Sequence, residues 1–406
     1  MVLALVVLVL WAAGCANRGF LRIVWTPFYA PFLAFLALAT AQFLAGRSPD
    51  HVAMREALLK IVTNLVIFFV AGQLLNGQIE YGRALERLGP VAMGLALALC
   101  TLGLAQAFWS VNPMVIYWTY PITAGSPFGP YVNHNDYAGI MEMLIPICVA
   151  YLLPQTSNLL LRLFLWAGVV LAITSIWVCG SRGGTLALVV EGLLMTAILL
   201  KARPRHVSPR VLPVLGVIVL LAAGVFSWMV SAGHVGSRAW SIFETGRSLE
   251  VTLGDRLRVG FDTLRMARDY PLAGIGVGCF EQVFPKYMTF PSELHWSHAH
   301  DDIAEGVAET GIPGAVLLLI AIWTFFRMAF RDIKARLRYD WGWIQIGAAV
   351  AAMGMFAHSF VDFNLRIPAN AAWFVLCLAV ATHPRSAPER PLGWPARPVR
   401  YEVDNS

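Results

Sequence analysis

Three histidines and two aspartates lie within the eight residues from His295 to Asp302. Histidine is the commonest general base near neutral pH, and a neighbouring carboxylate can orient its imidazole. The same residue types bind metal ions, but a metal site is the weaker interpretation because no second cluster in the sequence supplies a remote ligand. Asp301 and Asp302 also suit the first turn of a helix, where carboxylates face the positive end of the helix dipole. The segment therefore indicates proton transfer at the start of a helix.

Arginine is the second residue type that indicates chemistry, because its planar guanidinium binds phosphate groups through paired hydrogen bonds. Arg182 opens a predicted helix within Gly180–Gly184 (GSRGG), where small neighbours leave its guanidinium and nearby backbone amides accessible to an anion. Arg182 can also be read as an arginine that merely extends to the membrane interface, and this second interpretation is slightly favoured.

An apolar stripe at helical spacing predicts a helix over residues 254–269; its members are Leu257, Phe261 and Leu264. Ion pairs at a spacing of four residues are expected in this helix, namely Arg258 with Asp262 and Arg265 with Asp269. Arg256 has no carboxylate three or four positions away. It is therefore predicted to be the arginine left free for an external anion.

Two further segments concentrate polar residues between apolar stretches. Gly125–Tyr137, which contains Asn135, is rich in Gly, Pro and Asn and cannot cross a bilayer in contact with lipid. It either folds back into the protein or forms a plain surface loop, and the two interpretations are equally favoured. In His358–Arg366, the two terminal residues either support a site or simply end two helices, and the second option is favoured.

The composition excludes a single soluble globule. Of the 406 residues, 58% are hydrophobic and 13% charged, whereas soluble domains carry roughly 25% charged residues. The net charge of +6 does not favour nucleic acid as a partner, because basic loops beside apolar spans are the ordinary signature of membrane topology. The six cysteines include no CxxC pair, so they indicate packing rather than disulfides or a zinc site.

Nearly all of the chain outside residues 233–311 divides into apolar stretches long enough to cross a bilayer. The sequence therefore predicts an all-α polytopic membrane domain over residues 1–383. The predicted spans are roughly 1–14, 26–45, 56–76, 89–109, 138–153, 159–179, 183–200, 211–232, 312–330, 342–360 and 367–383.

Lys and Arg collect in alternate connections, including 201–210, 331–338 and the tail 384–406, which is predicted to be disordered. By the positive-inside rule these connections are cytoplasmic. The long loop 233–311 is then extracytoplasmic, since loops above about 60 residues are largely exempt from the charge rule. The same topology places all four polar segments on the outer side, and this convergence is the main functional clue.

Four motifs, in this order, resemble the O-antigen ligase and polymerase superfamily, membrane glycosyltransferases that act on undecaprenyl-diphosphate-linked glycans. They are the Asn/His element at 133–135, Ser181–Gly184 (SRGG), the Arg256–Leu257 helix followed by Tyr270–Gly276 (YPLAGIG, similar to the family's hPLxGxG), and Ala299–Asp301 (AHD) with Glu309–Gly311 (ETG). The resemblance covers roughly residues 90–383. The family usually has Asn where this chain has Asp301, which leaves the role of that position open.

The resemblance implies a GT-C-like fold. The apolar stretches of the sequence number eleven, whereas members of the family commonly have about twelve transmembrane helices. The resemblance also implies that Arg182 and Arg256 hold the lipid diphosphate and that His300 takes the proton of an acceptor sugar hydroxyl. No metal ion or other cofactor is implied. The substrate-binding residues expected from the same motifs are Arg258, His298, Asn135, Asp301 and Glu309.

The expected donor is an undecaprenyl-diphosphate-linked glycan at the periplasmic face of a bacterial inner membrane, in contact with the lipid bilayer. A ligase would transfer it to lipid A core, and a polymerase to a growing surface polysaccharide; these motifs do not separate the two. A transporter for an anionic lipid or glycan is a weaker alternative. It would be expected to carry basic residues near the bilayer midplane, whereas charge here is assigned to span ends apart from Glu191 and Lys60.

Overall fold

The computed structural model describes residues 1–18, 23–46, 49–75, 78–109, 127–154, 159–202, 253–292 and 295–383, together with Gly216 and Gly224. These residues are almost entirely helical, and within them the only β-type pairing is one isolated bridge between Phe128 and Tyr131. The helices are α1 (Val2–Arg18), α2 (Tyr29–Leu44), α3 (His51–Leu74), α4 (Gln78–Trp109), α5 (His134–Leu152), α6 (Leu159–Cys179), α7 (Arg182–Ala202), α8 (Leu253–Asp269), α9 (Asp302–Ala329), α10 (Asp340–His358) and α11 (Pro368–Ala381). Short helical turns occur at Phe280–Val283, Phe284–Lys286, Ile333–Arg336 and Asn364–Arg366.

Five helical stretches in the described residues are long and apolar enough to cross a membrane: His51–Leu74, Leu85–Phe108, Leu159–Val178, Arg182–Ala202 and Asp302–Ala329. Shorter apolar helices occur at Val2–Asn17, Tyr29–Leu44 and Pro368–Ala381. Together they indicate a multi-pass membrane protein.

Ten of the eleven predicted spans coincide with helices, because long apolar runs bounded by polar residues have few other ways to satisfy their backbone. The remaining predicted span, 211–232, lies outside the described residues apart from two glycines. The tail 384–406 and residues 110–126 also lie outside them. The total of eleven or twelve spans therefore stays a prediction. The described part of 233–311 contains α8 and the turns at 280–286, and its side of the membrane also stays a prediction.

Helix α5 lies at the centre of the bundle, with every residue from Asn135 to Ala150 buried. It packs against α4, α6, α7, α10 and α11. It approaches α10 closely, since a Cβ at Gly347 would stand 2.7 Å from Cβ of Ala150. Small residues let two membrane helices approach this closely. The α5–α10 pair thereby holds their polar ends in a fixed relation beside the site described below.

Two glycines explain why the loop 270–276 can lie against α9. At Gly311 the helix is broken, with φ 66° and ψ −163°, and the freed amide of Ile312 donates to the carbonyl of Pro271 at 2.8 Å. Gly274 has φ +64°, and a Cβ there would lie 2.2 Å from the carbonyl oxygen of Glu309. Both positions therefore need glycine, for backbone conformation and for space. The loop fixes α8 relative to the start of α9.

Candidate functional site

One buried carboxylate joins three segments that are far apart in the sequence. Asp362 lies in the turn after α10, and its Oδ1 is 3.1 Å from Nδ1 of His300. Nη1 of Arg256, on α8, lies 3.3 Å from Oδ2 of the same carboxylate. The backbone amide of Phe363 donates to Oδ1 at 2.9 Å. Arg256, Asp362 and His300 form the cluster that we call the Arg–Asp–His cluster.

The Asp362 carboxylate is held in its charged form. Burial alone would raise its pKa, but the hydrogen bond with His300 and the positive charge of Arg256 outweigh burial, so the pKa of Asp362 lies below its usual range. An ionised carboxylate is the appropriate partner for an imidazole that must accept a proton on its far nitrogen.

His300 is fixed by its backbone as well as by its ring. Its φ of +53° is uncommon for a residue other than glycine and costs on the order of 1 kcal/mol or more. The next residue, Asp301, caps α9 by accepting from the amides of Ile303 and Ala304. The imidazole packs edge-on against Phe363 with ring centres 4.8 Å apart, and 13% of the side chain stays exposed. With Nδ1 donating to Asp362, Nε2 carries the lone pair and can act as a base.

Arg256 is not left free, so that prediction was wrong. Its Nη1 donates to the carbonyl of Val361 at 2.7 Å as well as lying near Asp362, which is 106 positions further along the chain. A search for carboxylates within one helical turn cannot find such a partner. Its Nε and Nη2 make no hydrogen bond within the described part of the chain, and 23% of the side chain is exposed. These two nitrogens can still bind an anion.

The two ion pairs expected within α8 are also wrong. Arg265 pairs instead with Asp262 three residues earlier, at 3.0 Å. Asp269 accepts from the hydroxyl of Tyr287 at 2.9 Å. The guanidinium of Arg258 lies 6.0 Å from the centre of the Phe290 ring, a cation–π distance. Helix α8 packs against residues 284–290, so Asp269 and Arg258 have tertiary partners, whereas the partner of Arg265 is still local.

Arg182 stands exposed at the first position of α7, with no partner among the residues that the structure describes. The helix is capped by Ser181, whose hydroxyl accepts from the amide of Gly184 at 3.1 Å. Gly183 packs directly on His358, since a Cβ there would lie 2.2 Å from its Nε2. The carbonyl of His358 in turn accepts from the amide of Asp362 at 3.1 Å. Arg182 and the Arg–Asp–His cluster therefore belong to the same end of the bundle.

A second charged group locks the start of α9 to the turn that holds Asp362. Arg366 faces three carboxylates on one side of α9: Asp302 at 3.6 Å, Glu305 at 3.4 Å and Glu309 at 2.8 Å. The amide of Asp302 also donates to the carbonyls of Ser359 and Asp362 at 2.9 and 3.2 Å. Arg366 thus does more than end a helix, because these bonds fix His300 against Asp362.

Three of the remaining predicted binding residues have internal partners. His298 bonds to Glu305 at 2.9 Å, Asp301 caps α9, and both oxygens of Glu309 are used by Arg366 and the amide of Gly278. Asn135 is buried near the start of α5, and its side-chain amide has no hydrogen-bond partner within the described residues. Their substrate contacts stay predictions, as does that of Arg258.

A fully buried pair under the cluster escaped the sequence analysis. Glu142 on α5 accepts from Nδ1 of His358 at 2.8 Å, and neither side chain is exposed. Glu142 is a further charged residue inside a span, besides the two considered from the sequence. The side-chain amide of Asn364 contacts Nε2 of His358, and its oxygen accepts a hydrogen bond from the side-chain amide of Asn370 at 2.8 Å. The available signal for Glu142 was an acidic residue in an apolar run. Nothing near Asp362 in the sequence marks it as the partner of His300 and Arg256.

The described residues thus define a multi-pass helical membrane protein with an Arg–Asp–His cluster at one end of its bundle. Among these residues, no three His, Cys, Asp or Glu side chains are grouped so as to hold a metal ion. The model of a family described as O-antigen ligase matches residues 167–319, which include Arg182, Arg256 and His300. This match supports membership of the chain in the O-antigen ligase superfamily, a class of membrane enzymes that covers ligases and polymerases. No curated protein matches the chain.

Proposed function

We propose that the protein is a membrane glycosyltransferase that moves a glycan from undecaprenyl diphosphate to a sugar hydroxyl at the periplasmic face. The observation that carries the proposal is the Arg–Asp–His cluster. It combines a base oriented by a buried carboxylate with a guanidinium that retains two donors. Such a pair suits a reaction in which a hydroxyl loses a proton while a diphosphate leaves.

The arginines act on the donor. Nε and Nη2 of Arg256, together with the guanidinium of the exposed Arg182, bind the diphosphate through charge-assisted hydrogen bonds. Negative charge grows on the diphosphate as the bond between the anomeric carbon and the phosphate oxygen breaks. Fixed positive groups stabilise that charge more strongly in the transition state than in the bound donor.

His300 acts on the acceptor. Its Nε2 takes the proton of the attacking hydroxyl while the hydroxyl oxygen forms the new bond to the anomeric carbon. Asp362 stays ionised and stabilises the imidazolium that results. The proton later leaves His300 for the departing diphosphate or for water, so the step balances without a cofactor or a metal ion. A nucleotide is not needed in this step, because the glycan is already activated by its bond to the lipid diphosphate.

The proposed topology places the site on the periplasmic side. We expect alkaline phosphatase to be active when fused near Gly278 and inactive when fused near Arg205, because Lys and Arg concentrate in 201–210 and 331–338. A reporter that is active in the cytoplasm should show the reverse pattern. Activity of alkaline phosphatase at Arg205 together with inactivity at Gly278 would overturn the topology.

The glycan that accumulates in a deletion strain tests the proposed function and separates its two forms. Complete chains left on undecaprenyl diphosphate are expected for a ligase, and single repeat units for a polymerase. The chromosomal deletion should be complemented by the wild-type protein, with the His300→Ala variant as the inactive control. An unchanged pool of lipid-linked glycan would contradict both forms.

A further inference from the structure

Helix α8 leaves a broad apolar stripe uncovered on the face opposite its packing contacts. Val259 and Met266 are buried in a cluster that includes Trp296. On the other face, Leu257, Phe261 and Leu264 are 57%, 64% and 52% exposed. Large apolar side chains lined up in this way usually mark an interaction surface. The proposed reaction uses Arg256 from this helix and leaves the stripe unexplained.

The stripe is continuous with the apolar surface of a membrane span. Beyond the end of α8, Leu272 is 77% exposed. The adjacent carbonyl of Pro271 accepts from the amide of Ile312 at 2.8 Å, so Leu272 lies level with that part of α9. From this level onward α9 presents exposed apolar side chains: Ile312, Val316, Leu319, Ile320 and Trp323. Helix α9 is long and apolar enough to cross a membrane, and an exposed apolar surface on such a helix is expected to contact lipid.

The charges beside the stripe fit a phospholipid surface. Arg258 and Arg265 lie three residues before and four after Phe261, and both are exposed on the same flank of the stripe. Arg268, four residues after Leu264, is also exposed. Arginines beside an apolar face can reach headgroup phosphates while the apolar residues enter the acyl region. Arg256 lies on the other side of the helix and turns to Asp362.

We propose that α8 lies in the plane of the membrane interface, with Leu257, Phe261, Leu264 and Leu272 inserted into the leaflet on the side of the site. The partner of this surface is a bilayer with anionic headgroups. This placement holds Arg256 at the depth of the headgroups. If the proposed function holds, that is also the depth of a lipid diphosphate, but the membrane contact itself does not depend on catalysis.

The test uses a fluorescent label on one introduced, exposed cysteine at a time in the full-length protein. Cys15 is the half-buried cysteine and is replaced by alanine, whereas the other five are buried. A bimane label is attached at Phe261→Cys or Leu264→Cys, and the protein is placed in nanodiscs of phosphatidylethanolamine and phosphatidylglycerol. Leu319→Cys on α9 serves as the lipid-facing control and Lys286→Cys as the exposed polar control.

We expect lipids that carry a nitroxide near the top of the acyl chain to quench the labels at Phe261 and Leu264. Quenching by aqueous iodide should be several-fold weaker there than at Lys286. Strong iodide quenching at both positions, equal to that at Lys286, would show that the stripe faces water and would overturn the proposal. Protection from both quenchers would also overturn it, because a second copy or another protein surface would then cover α8.

Discussion

Replacing His300 with alanine is expected to lower the rate of glycan transfer by roughly 100- to 10,000-fold, the usual loss when a positioned general base is removed. The imidazole is held by Asp362 at 3.1 Å and by ring contacts on one side, and its Nε2 is the nitrogen left for the substrate. Binding of the lipid-linked donor should be largely retained, because the arginines are untouched. Transfer and donor binding are measured separately on the purified protein in vesicles.

His295→Ala is the matched control for this variant. His295 is three-quarters exposed and bonds to Glu281 at the surface, so its loss should leave transfer near the wild-type rate. Loss of His298 should have an intermediate effect, since it supports Glu305 and through it Arg366. Wild-type activity of His300→Ala would remove the base assignment. Comparable losses at all three histidines, together with inhibition by a chelator, would instead indicate a metal site.

Arg256→Ala is expected to reduce transfer by roughly 100- to 1,000-fold, which is the usual loss on removing a group that stabilises developing negative charge. It also removes the positive charge of Arg256 from beside the buried Asp362 carboxylate. Arg182→Ala should have a similar effect on transfer. Arg256→Lys should recover little, because an ammonium group cannot bond to Asp362 and the diphosphate in the same geometry.

Arg265→Ala is the matched control on the same helix. Its side chain is 63% exposed, so solvent screens its charge, whereas the side chain of its partner Asp262 is 1% exposed. Asp262 keeps its bonds to Thr289 when Arg265 is removed. Equal, modest losses at Arg182, Arg256 and Arg265, with unchanged protein in the membrane, would mean that the arginines provide only a diffuse positive field.

The helices could be predicted from the sequence because a bilayer leaves an apolar segment little choice of structure. The apolar stripe likewise predicted α8, and the alternation of basic loops grouped Arg182, Arg256 and His300 on one side. The partner of Arg256 could not be predicted. Asp362 lies 106 positions away, in a turn with no local signal, and side-chain periodicity reports only on neighbours within about one helical turn.

Gly274 and Gly311 can be noticed in the sequence, but the reason that each must be glycine depends on tertiary contacts. The Pro-Leu-Ala-Gly-Ile-Gly run was recognised as a motif, but its physical reason needs the fold. A side chain at Gly274 would meet the backbone of Glu309, and one at Gly311 would lie 2.6 Å from the carbonyl of Pro271. The motif therefore keeps α8 and α9 together. Its loss would displace Arg256 from His300 without touching either residue.

The central claim is that this protein transfers a glycan between a lipid diphosphate and a sugar hydroxyl. Purified protein in phospholipid vesicles, given a radiolabelled lipid-linked glycan and a defined acceptor without added metal, tests it most directly. The account predicts glycosylated acceptor and undecaprenyl diphosphate in equal amounts, with both products formed at least about 100-fold more slowly by His300→Ala. Movement of intact labelled donor across the bilayer, with no glycosidic product, would contradict the account and indicate a transporter.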